Sequence, residues 1–186
     1  MKKIFSLAII MIVVTIAVSC NGNKNKNENV AQNKPAMVDE ADSTIYGRCG
    51  EGTSMNMLQL LTDKGDTLSF TLISADTTAN VQGGLLAGDR LAVLACKDAD
   101  GEMFANTVIN LTTLLGKWSD INRTFDIQEG GTVECSNQEP KPYVDWRILN
   151  GKLILTSDTF SIYKLGPDSL MLENNQGIYA YKRVMK

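Results

Sequence analysis

Cysteine is the most reactive side chain in this 186-residue sequence, and it occurs at positions 20, 49, 96 and 135. No CxxC spacing links these cysteines, and the sequence contains no histidine. Zinc sites are built from cysteine and histidine ligands at such spacings, and histidine is also the commonest general base. We therefore expect no metal site, no cofactor and no catalytic residue.

Carboxylates, lysine and tyrosine are the groups that remain for acid–base chemistry, and no spacing in the sequence singles any of them out. Asp120, Asp126, Asp145 and Asp158 are scattered over strand and turn positions in the second half of the sequence. A hydrolase that works with two carboxylates would need them about 5–9 Å apart inside a cleft. Solvent-exposed positions explain the four residues, so we predict that the chain is not an enzyme. A small carboxylate-dependent hydrolase remains an alternative.

An apolar segment, Ile4–Val18, precedes Cys20 and follows the basic tip Met1–Lys3. It is shorter than the about 20 residues that a membrane-spanning helix needs, and its layout is typical of a secretory signal peptide. Residues 17–20, Ala-Val-Ser-Cys, resemble the lipobox of bacterial lipoproteins. The resemblance implies removal of residues 1–19, lipidation of Cys20 with acyl chains such as palmitate, and a location at the outer membrane, facing the periplasm. An ordinary signal peptide with an incidental Cys20 is the alternative.

The residues after Cys20 are rich in asparagine, lysine and glutamine up to about Asp42. Their apolar surface is too small to repay the entropy of ordering, so we expect a disordered tether that reaches on the order of 25 Å. Of the 18 basic and 21 acidic residues, only Lys2 and Lys3 lie in the segment that is removed, which leaves a net charge of −5. This acidic balance argues against nucleic acid as a partner.

From Ser43 onward the sequence predicts only strands and turns. Short alternating runs recur between glycine, aspartate and asparagine, as in Leu68, Phe70 and Leu72, which share one strand face. The first half predicts five strands with a longer connection after the third, and we expect one short helical turn in that connection. This strand count and the segment AGDRLAVL resemble an OB-type barrel. We therefore expect a small OB-like five-stranded barrel over residues 43–114, acting as an interaction module.

The second half of the body predicts seven or eight strands of about six residues, joined by tight turns such as Asn150-Gly151. This pattern is typical of a short up-and-down barrel over residues 115–186. The opening Gly-Lys-Trp, the run YVDWRILNGKLIL and the closing YAYKR resemble the lipocalin-like domains of Bacteroidetes lipoproteins. The resemblance implies that Trp118 plugs one barrel end and that Arg183 lies across its ring, a structural contact worth about 1–2 kcal/mol.

The alternation also predicts which side chains face the barrel interior. Their bulk favours a filled core, while Phe125, Trp146 and Phe160 would line a small cavity for an apolar ligand if the barrel were hollow. The predicted inward residues are Ile121, Phe125, Ile127, Val144, Trp146, Ile148, Leu153, Leu155, Phe160, Ile162, Leu170 and Leu172.

Cys49 and Cys96 could pair as a disulfide in an exported protein. The alternative is that Cys49, Cys96 and Cys135 are mainly small buried residues in strands.

These observations together predict a non-enzymatic envelope lipoprotein, attached to the membrane through Cys20. It would bind an envelope protein partner or a small apolar ligand through its two modules. An envelope-stress or surface-sensing lipoprotein of the NlpE type is an alternative, because that class also combines a lipocalin-like barrel with an OB-fold.

Overall fold

The computed structural model describes residues 41–97, 100–135 and 140–185. Within these ranges the chain forms fourteen strands and one four-residue α-helix, which confirms the predicted all-β class. The predicted signal peptide, Cys20 and most of the tether lie outside the described residues. The described residues belong to one compact unit, Glu40–Lys186. None of the helices that they form has the length and apolar character needed to cross a bilayer.

The first sheet has the order β3-β2-β1-β5-β6-β4 and closes on itself, because β3 also pairs in parallel with β6 through Thr71 and Phe104. The five longer strands thus form the expected OB-like barrel around buried residues such as Leu58 and Phe70. Its strands are β1 (Thr44–Cys49), β2 (Met57–Thr62), β3 (Thr67–Thr71), β4 (Asn80–Gln82), β5 (Arg90–Lys97) and β6 (Met103–Asn110).

The long connection after β3 differs from its prediction. The sequence predicts one short helical turn there, whereas the structure has the three-residue strand β4, which pairs in parallel with β6 from Asn80–Thr107 to Gln82–Ile109. Val81 is apolar and β-branched, so an extended conformation beside β6 suits it better than a helical turn.

The second sheet has the order β10-β11-β12-β13-β14-β7-β8-β9. An isolated bridge between Thr132 and Asp145, and a 3.0 Å hydrogen bond from Val133 N to Val144 O, join its two edges. The result is a nearly closed up-and-down barrel, as predicted. Its elements, which follow helix α1 (Leu111–Leu114), are β7 (Gly116–Ser119), β8 (Thr124–Ile127), β9 (Val133–Cys135), β10 (Trp146–Leu149), β11 (Lys152–Leu155), β12 (Asp158–Leu165), β13 (Ser169–Asn174) and β14 (Gly177–Arg183).

Two of the predicted inward residues face solvent instead. Ile121 is 98% exposed because it lies in the turn between β7 and β8, where strand alternation no longer applies. Val144 is 56% exposed because regular pairing of β10 begins only at Trp146. Trp146 itself is half-buried, and the other predicted inward side chains are buried.

The two sheets pack against each other. The predicted boundary after residue 114 falls between α1 and β7, in the connection between the first sheet and the second. The hydroxyl of Tyr46 donates to Ile148 O at 2.9 Å, and Leu165 N donates to the Gln82 side chain at 2.9 Å. Leu111 and Leu114 share a hydrophobic cluster with Trp118 and the barrel interior.

Trp118 and Arg183 lie together at the end of the second barrel that adjoins α1. The indole is fully buried and donates to Leu114 O at 2.9 Å. The guanidinium carbon of Arg183 stands 4.1 Å from the ring centroid. Its nitrogens donate to the carbonyls of Leu115 (2.7 Å), Thr113 and Pro167.

The predicted Cys49–Cys96 disulfide is not formed, since both thiols are free, Cys49 buried and Cys96 exposed. The register explains why. Cys49 N donates to Asp89 O, just before β5, whereas Cys96 lies near the far end of that strand. At about 3.3 Å per residue the two cysteines are separated by roughly 20 Å, and a disulfide tolerates about 7 Å between Cα atoms. Cys135 is also free and partly buried.

Replacing Arg183 should destabilise the whole compact unit. Arg183→Leu removes the cation–π contact and three hydrogen bonds from a charged donor, so we expect a loss of about 2–4 kcal/mol in the free energy of unfolding. Arg183→Lys should recover only part of this loss, because an ammonium lacks the planar fork. Urea unfolding followed by tryptophan fluorescence measures both. The matched control is Lys182→Ala on the exposed face of β14, and an Arg183→Leu midpoint equal to that control would contradict the assignment.

Candidate functional site

The interior of the second barrel is filled with side chains. Phe125, Leu153, Leu155, Leu170 and Leu172 have no measurable exposure. Eight short strands enclose a space that such side chains can just fill. The barrel is therefore a packed core, and a site for a ligand has to lie at one of its ends or on its surface.

Five aromatic rings form a continuous edge-to-face chain at the end of this core that carries Tyr143, Tyr179 and Tyr181. The centroid distances are 5.0 Å from Tyr181 to Phe125, 5.6 Å from Phe125 to Tyr143, 6.4 Å from Tyr143 to Phe160 and 5.9 Å from Phe160 to Tyr179. Edge-to-face pairs satisfy the quadrupoles of both rings, so each ring holds its neighbours in place. The chain forms a rigid aromatic floor.

A depression of about 230 Å³ lies above this floor, which we call the barrel mouth. It is at the end opposite the Trp118 indole, because that indole bonds to Leu114 O beside α1, whereas β7 ends at Ser119 next to the rim residue Asp120. Three turns build the polar rim, and they join β7 to β8, β11 to β12, and β13 to β14. The rim residues are Asp120, Asn122, Arg123, Asp158, Asn174 and Gln176.

Tyr181 brings a buried hydroxyl to the barrel mouth. Its side chain is only 4% exposed, and the hydroxyl has no hydrogen-bond partner among the residues that the structure describes. Burial raises the pKa of Tyr181 well above its ordinary value, with Tyr143 and Asp120 adding to the effect. Buried tyrosine hydroxyls nearly always find a partner, and because this one lines the open depression, either water or a polar atom of a bound molecule can supply it.

Arg123 and Asp120 organise one side of the rim. The guanidinium carbon of Arg123 lies 4.3 Å from the ring centroid of Tyr143. The Asp120 carboxylate accepts hydrogen bonds from the backbone N–H groups of Asn122 (2.7 Å) and Arg123 (2.6 Å), which fixes the turn. Burial raises the pKa of Tyr143, and the charge of Arg123 opposes this rise. One oxygen of Asp120, Oδ1, thus holds the turn.

A wider groove of about 1020 Å³ continues from the rim along the outside of the barrel. It shares Tyr143, Asp158, Asn174 and Gln176 with the mouth. We call it the outer groove. Hydroxyl, amide and charged groups line it, and its further residues include Lys141, Lys152, Thr159, Ser161, Glu173 and Asn175.

The three residues predicted to line a cavity do not converge. Phe125 and Phe160 belong to the aromatic floor, but Trp146 lies at a separate cleft of about 620 Å³ that the two sheets share. Its indole donates to Gln128 O at 2.7 Å, which holds it beside the turn between β8 and β9. Arg48 and Arg147 line the same cleft.

Two of the four aspartates of the alternative hydrolase share one cavity, and the other two lie elsewhere. Asp120 and Asp158 reach the barrel mouth. Asp126 lies in the middle of β8, where its register partners are Lys117 on β7 and Glu134 on β9. Asp145 forms the bridge that joins the barrel edges. Across the described residues, no three Cys, Asp or Glu side chains come close enough to hold a metal ion.

The tyrosines of the mouth were not among the predicted site residues. Tyr179 and Tyr181 alternate on β14, so both point toward the barrel interior, and this alternation is visible in the sequence YAYKR. Tyr143 precedes β10 in an irregular segment that no periodicity marks.

No protein family model matches this chain, and the curated proteins and solved structures show no match either. The chemistry of its own residues is therefore the ground for inferring a function.

The buried tyrosines should make the folded chain unstable in alkali. Because the folded-state pKa of Tyr181 lies above the ordinary value of about 10, the folded chain holds more protons than the unfolded chain above that pH. Stability is therefore fully present below about pH 10 and falls as the pH rises further. Between pH 9 and 11, the free energy of unfolding of Tyr181→Phe should fall by about 1 kcal/mol less than that of the wild type, as measured by urea titrations at each pH.

The control for this experiment is Tyr163→Phe, because Tyr163 is exposed on β12. At pH 7 Tyr181→Phe should cost little, since it removes a hydroxyl that has no partner in the described structure. Identical pH profiles for the wild type and Tyr181→Phe would show that the hydroxyl is not sequestered.

Proposed function

We propose that this chain is a non-enzymatic lipoprotein of the bacterial cell envelope that binds a small ligand at the barrel mouth. The observation that carries the binding role is the buried Tyr181 hydroxyl, which faces a 230 Å³ depression without a partner among the described residues. A preformed cavity with an aromatic floor and a few convergent polar groups is the usual form of a small-molecule site.

The anchoring part of the proposal rests on the sequence around Cys20. A basic tip, a short apolar run and Ala-Val-Ser-Cys precede a polar segment that ends where the described residues begin. Two or more acyl chains hold a protein stably on a membrane, so a lipidated cysteine needs no spanning helix. The polar segment would then hold the barrels away from the lipid surface, at the outer membrane on the periplasmic side.

The mouth suits binding better than catalysis. Acid–base chemistry on a bound molecule needs a proton donor and an acceptor in defined positions. The chain contains no histidine, and the Oδ1 atom of Asp120 accepts hydrogen bonds from two backbone N–H groups. Asp120 and Asp158 are the two rim carboxylates, and we propose that they bind the ligand instead of acting on it as an acid–base pair.

Lipid attachment can be tested directly in cells that express the full-length chain. We expect incorporation of radiolabelled palmitate into the wild type and none into Cys20→Ala, because that thiol is the attachment atom. Cys96→Ala is the matched control, since it removes an exposed thiol elsewhere and should leave labelling unchanged. Labelling that survives in Cys20→Ala would overturn the anchor.

Ligand binding at the mouth can be tested by an NMR screen of the full-length chain, carrying ¹³C-labelled tyrosine rings, against a mixed library of aromatic, fatty-acid, amino-acid and saccharide fragments. At least one fragment class should shift the ring signals of Tyr179 and Tyr181. The signal of exposed Tyr163 should stay in place and serves as the internal control. A library that shifts none of the mouth tyrosines would refute the binding role.

A further inference from the structure

We propose that the ligand of the barrel mouth is a neutral saccharide, with one sugar ring in the mouth and further rings along the outer groove. This inference rests on the proposed function and names the chemical class that the same site accepts. It is argued from the floor, the rim, the size of the two cavities and the balance of charge.

The aromatic floor and polar rim match the two kinds of surface on a sugar ring. A pyranose has an apolar face of C–H groups and an equator of hydroxyls. Tyr179 is the half-exposed ring of the aromatic chain, so it can take the C–H face. The amide nitrogens of Asn174 and Gln176 can donate to hydroxyls and the Asp158 carboxylate can accept from them, while the two amide oxygens accept from Gln176 N and the Tyr179 hydroxyl.

Tyr181 adds a group that a hydroxylated ligand satisfies. Its buried hydroxyl can both donate and accept, and an alcohol group can do the same in return. An aliphatic ligand would leave this hydroxyl without a partner, and a desolvated polar group without a hydrogen bond costs about 1–3 kcal/mol. The chemistry at the bottom of the mouth therefore favours alcohols over hydrocarbons.

The filled core argues against fatty acids and other long apolar molecules. Such ligands need a channel into the barrel, and the fully buried Phe125, Leu153, Leu170 and Leu172 occupy that space. The mouth itself has room for about seven or eight waters at roughly 30 Å³ each, which is the space of one sugar-sized ring.

The charges of the two cavities favour a neutral ligand. Asp120 and Asp158 stand with Arg123 at the mouth, so an anion would meet two carboxylates. A cation would meet the guanidinium of Arg123, which already lies over the Tyr143 ring. The two cavities share Asp158, and together they carry three acidic and three basic side chains, namely Asp120, Asp158, Glu173, Arg123, Lys141 and Lys152.

The outer groove extends the site beyond one ring. It is continuous with the mouth through Asp158, Asn174 and Gln176, and it is more than four times as large, about 1020 against 230 Å³. Side-chain hydroxyl and amide groups, such as those of Ser161 and Asn175, line its further part. These groups suit a chain of hydroxylated rings, so we expect an oligosaccharide to bind more tightly than its monomer.

The test is isothermal titration calorimetry of the full-length chain with neutral hexasaccharides of glucose, mannose, xylose and N-acetylglucosamine, and with the matching monosaccharides. The protein is kept in an amine-oxide detergent, because a detergent with a sugar head group would compete. We expect at least one hexasaccharide to bind, and to bind at least tenfold more tightly than its monomer. If none of these saccharides gives a heat of binding, the inference is overturned.

Variants then assign the binding to the two cavities. Tyr179→Ala should lower the affinity for the hexasaccharide and for the monosaccharide at least tenfold. Tyr181→Phe should lower both affinities about fivefold, because one hydrogen bond is lost. Ser161→Ala combined with Asn175→Ala should weaken only the hexasaccharide. Tyr163→Ala, exposed on the same β12 strand, is the control that should change neither. Circular dichroism verifies folding, and the conservative Tyr181→Phe serves if Tyr179→Ala does not fold.

The outcomes separate this inference from the proposed function. Saccharide binding that Tyr181→Phe and Tyr179→Ala leave unchanged would place the sugar elsewhere and overturn the inference. Mouth tyrosines that respond to aromatic or amino-acid fragments but to no saccharide would overturn it while the binding role stands. Mouth tyrosines that respond to nothing would reject both.

Discussion

The stacking of Arg183 on Trp118 is the contact on which the rest of the described structure depends. The guanidinium carbon of Arg183 lies 4.1 Å from the indole ring centroid, and its nitrogens donate hydrogen bonds to the carbonyls of Thr113 and Leu115 around α1. Those carbonyls belong to the connection between the two barrels, so the group that closes one barrel also fixes its attachment to the other. Gly116 is required beside it: its φ is +119°, and a Cβ there would lie 2.6 Å from the guanidinium.

Closure of one barrel end determines where a ligand can bind. Trp118 and its neighbours seal the end near α1, and Phe125 and the buried leucines occupy the middle, so among the described residues the barrel opens at the mouth on the opposite end. The interior thus becomes a support for the site instead of the site itself. The aromatic rings that fill it supply the floor of the barrel mouth, and the hydroxyls of Tyr143 and Tyr181 mark where the apolar core gives way to polar chemistry.

Much of the architecture was predictable because strand alternation and turn chemistry are local. Asn150 and Gly151 form the expected hairpin turn, with φ values of 48° and 75°. Features that depend on register were not predictable, and these include strand β4 and the separation of Cys49 from Cys96. A single sequence shows which residues alternate, but it does not show which strands pair or where a strand begins to pair.

The site was predictable only in part for the same reason. Phe125 and Phe160 could be placed in the interior by alternation, but Trp146 follows a segment without regular pairing and faces the cleft between the sheets. The mouth depends on three turns that are distant in sequence, and only closure of the barrel brings Asp120, Asp158 and Gln176 together. No pattern within one strand reports that convergence.

Strand β14 connects the structural and the binding ends of the barrel. It carries Arg183 at the sealed end and Tyr181 and Tyr179 at the mouth, and it pairs with β13 over residues 177–182 and with β7 at Lys182 and Arg183. The mouth therefore rests on hydrogen-bonded backbone and packed rings. A site held in this way loses little conformational entropy when a ligand enters, so even a few hydrogen bonds and one stacked face can yield measurable affinity. This rigidity is what a shallow site of about 230 Å³ requires, because it has no deep cavity in which to bury its ligand.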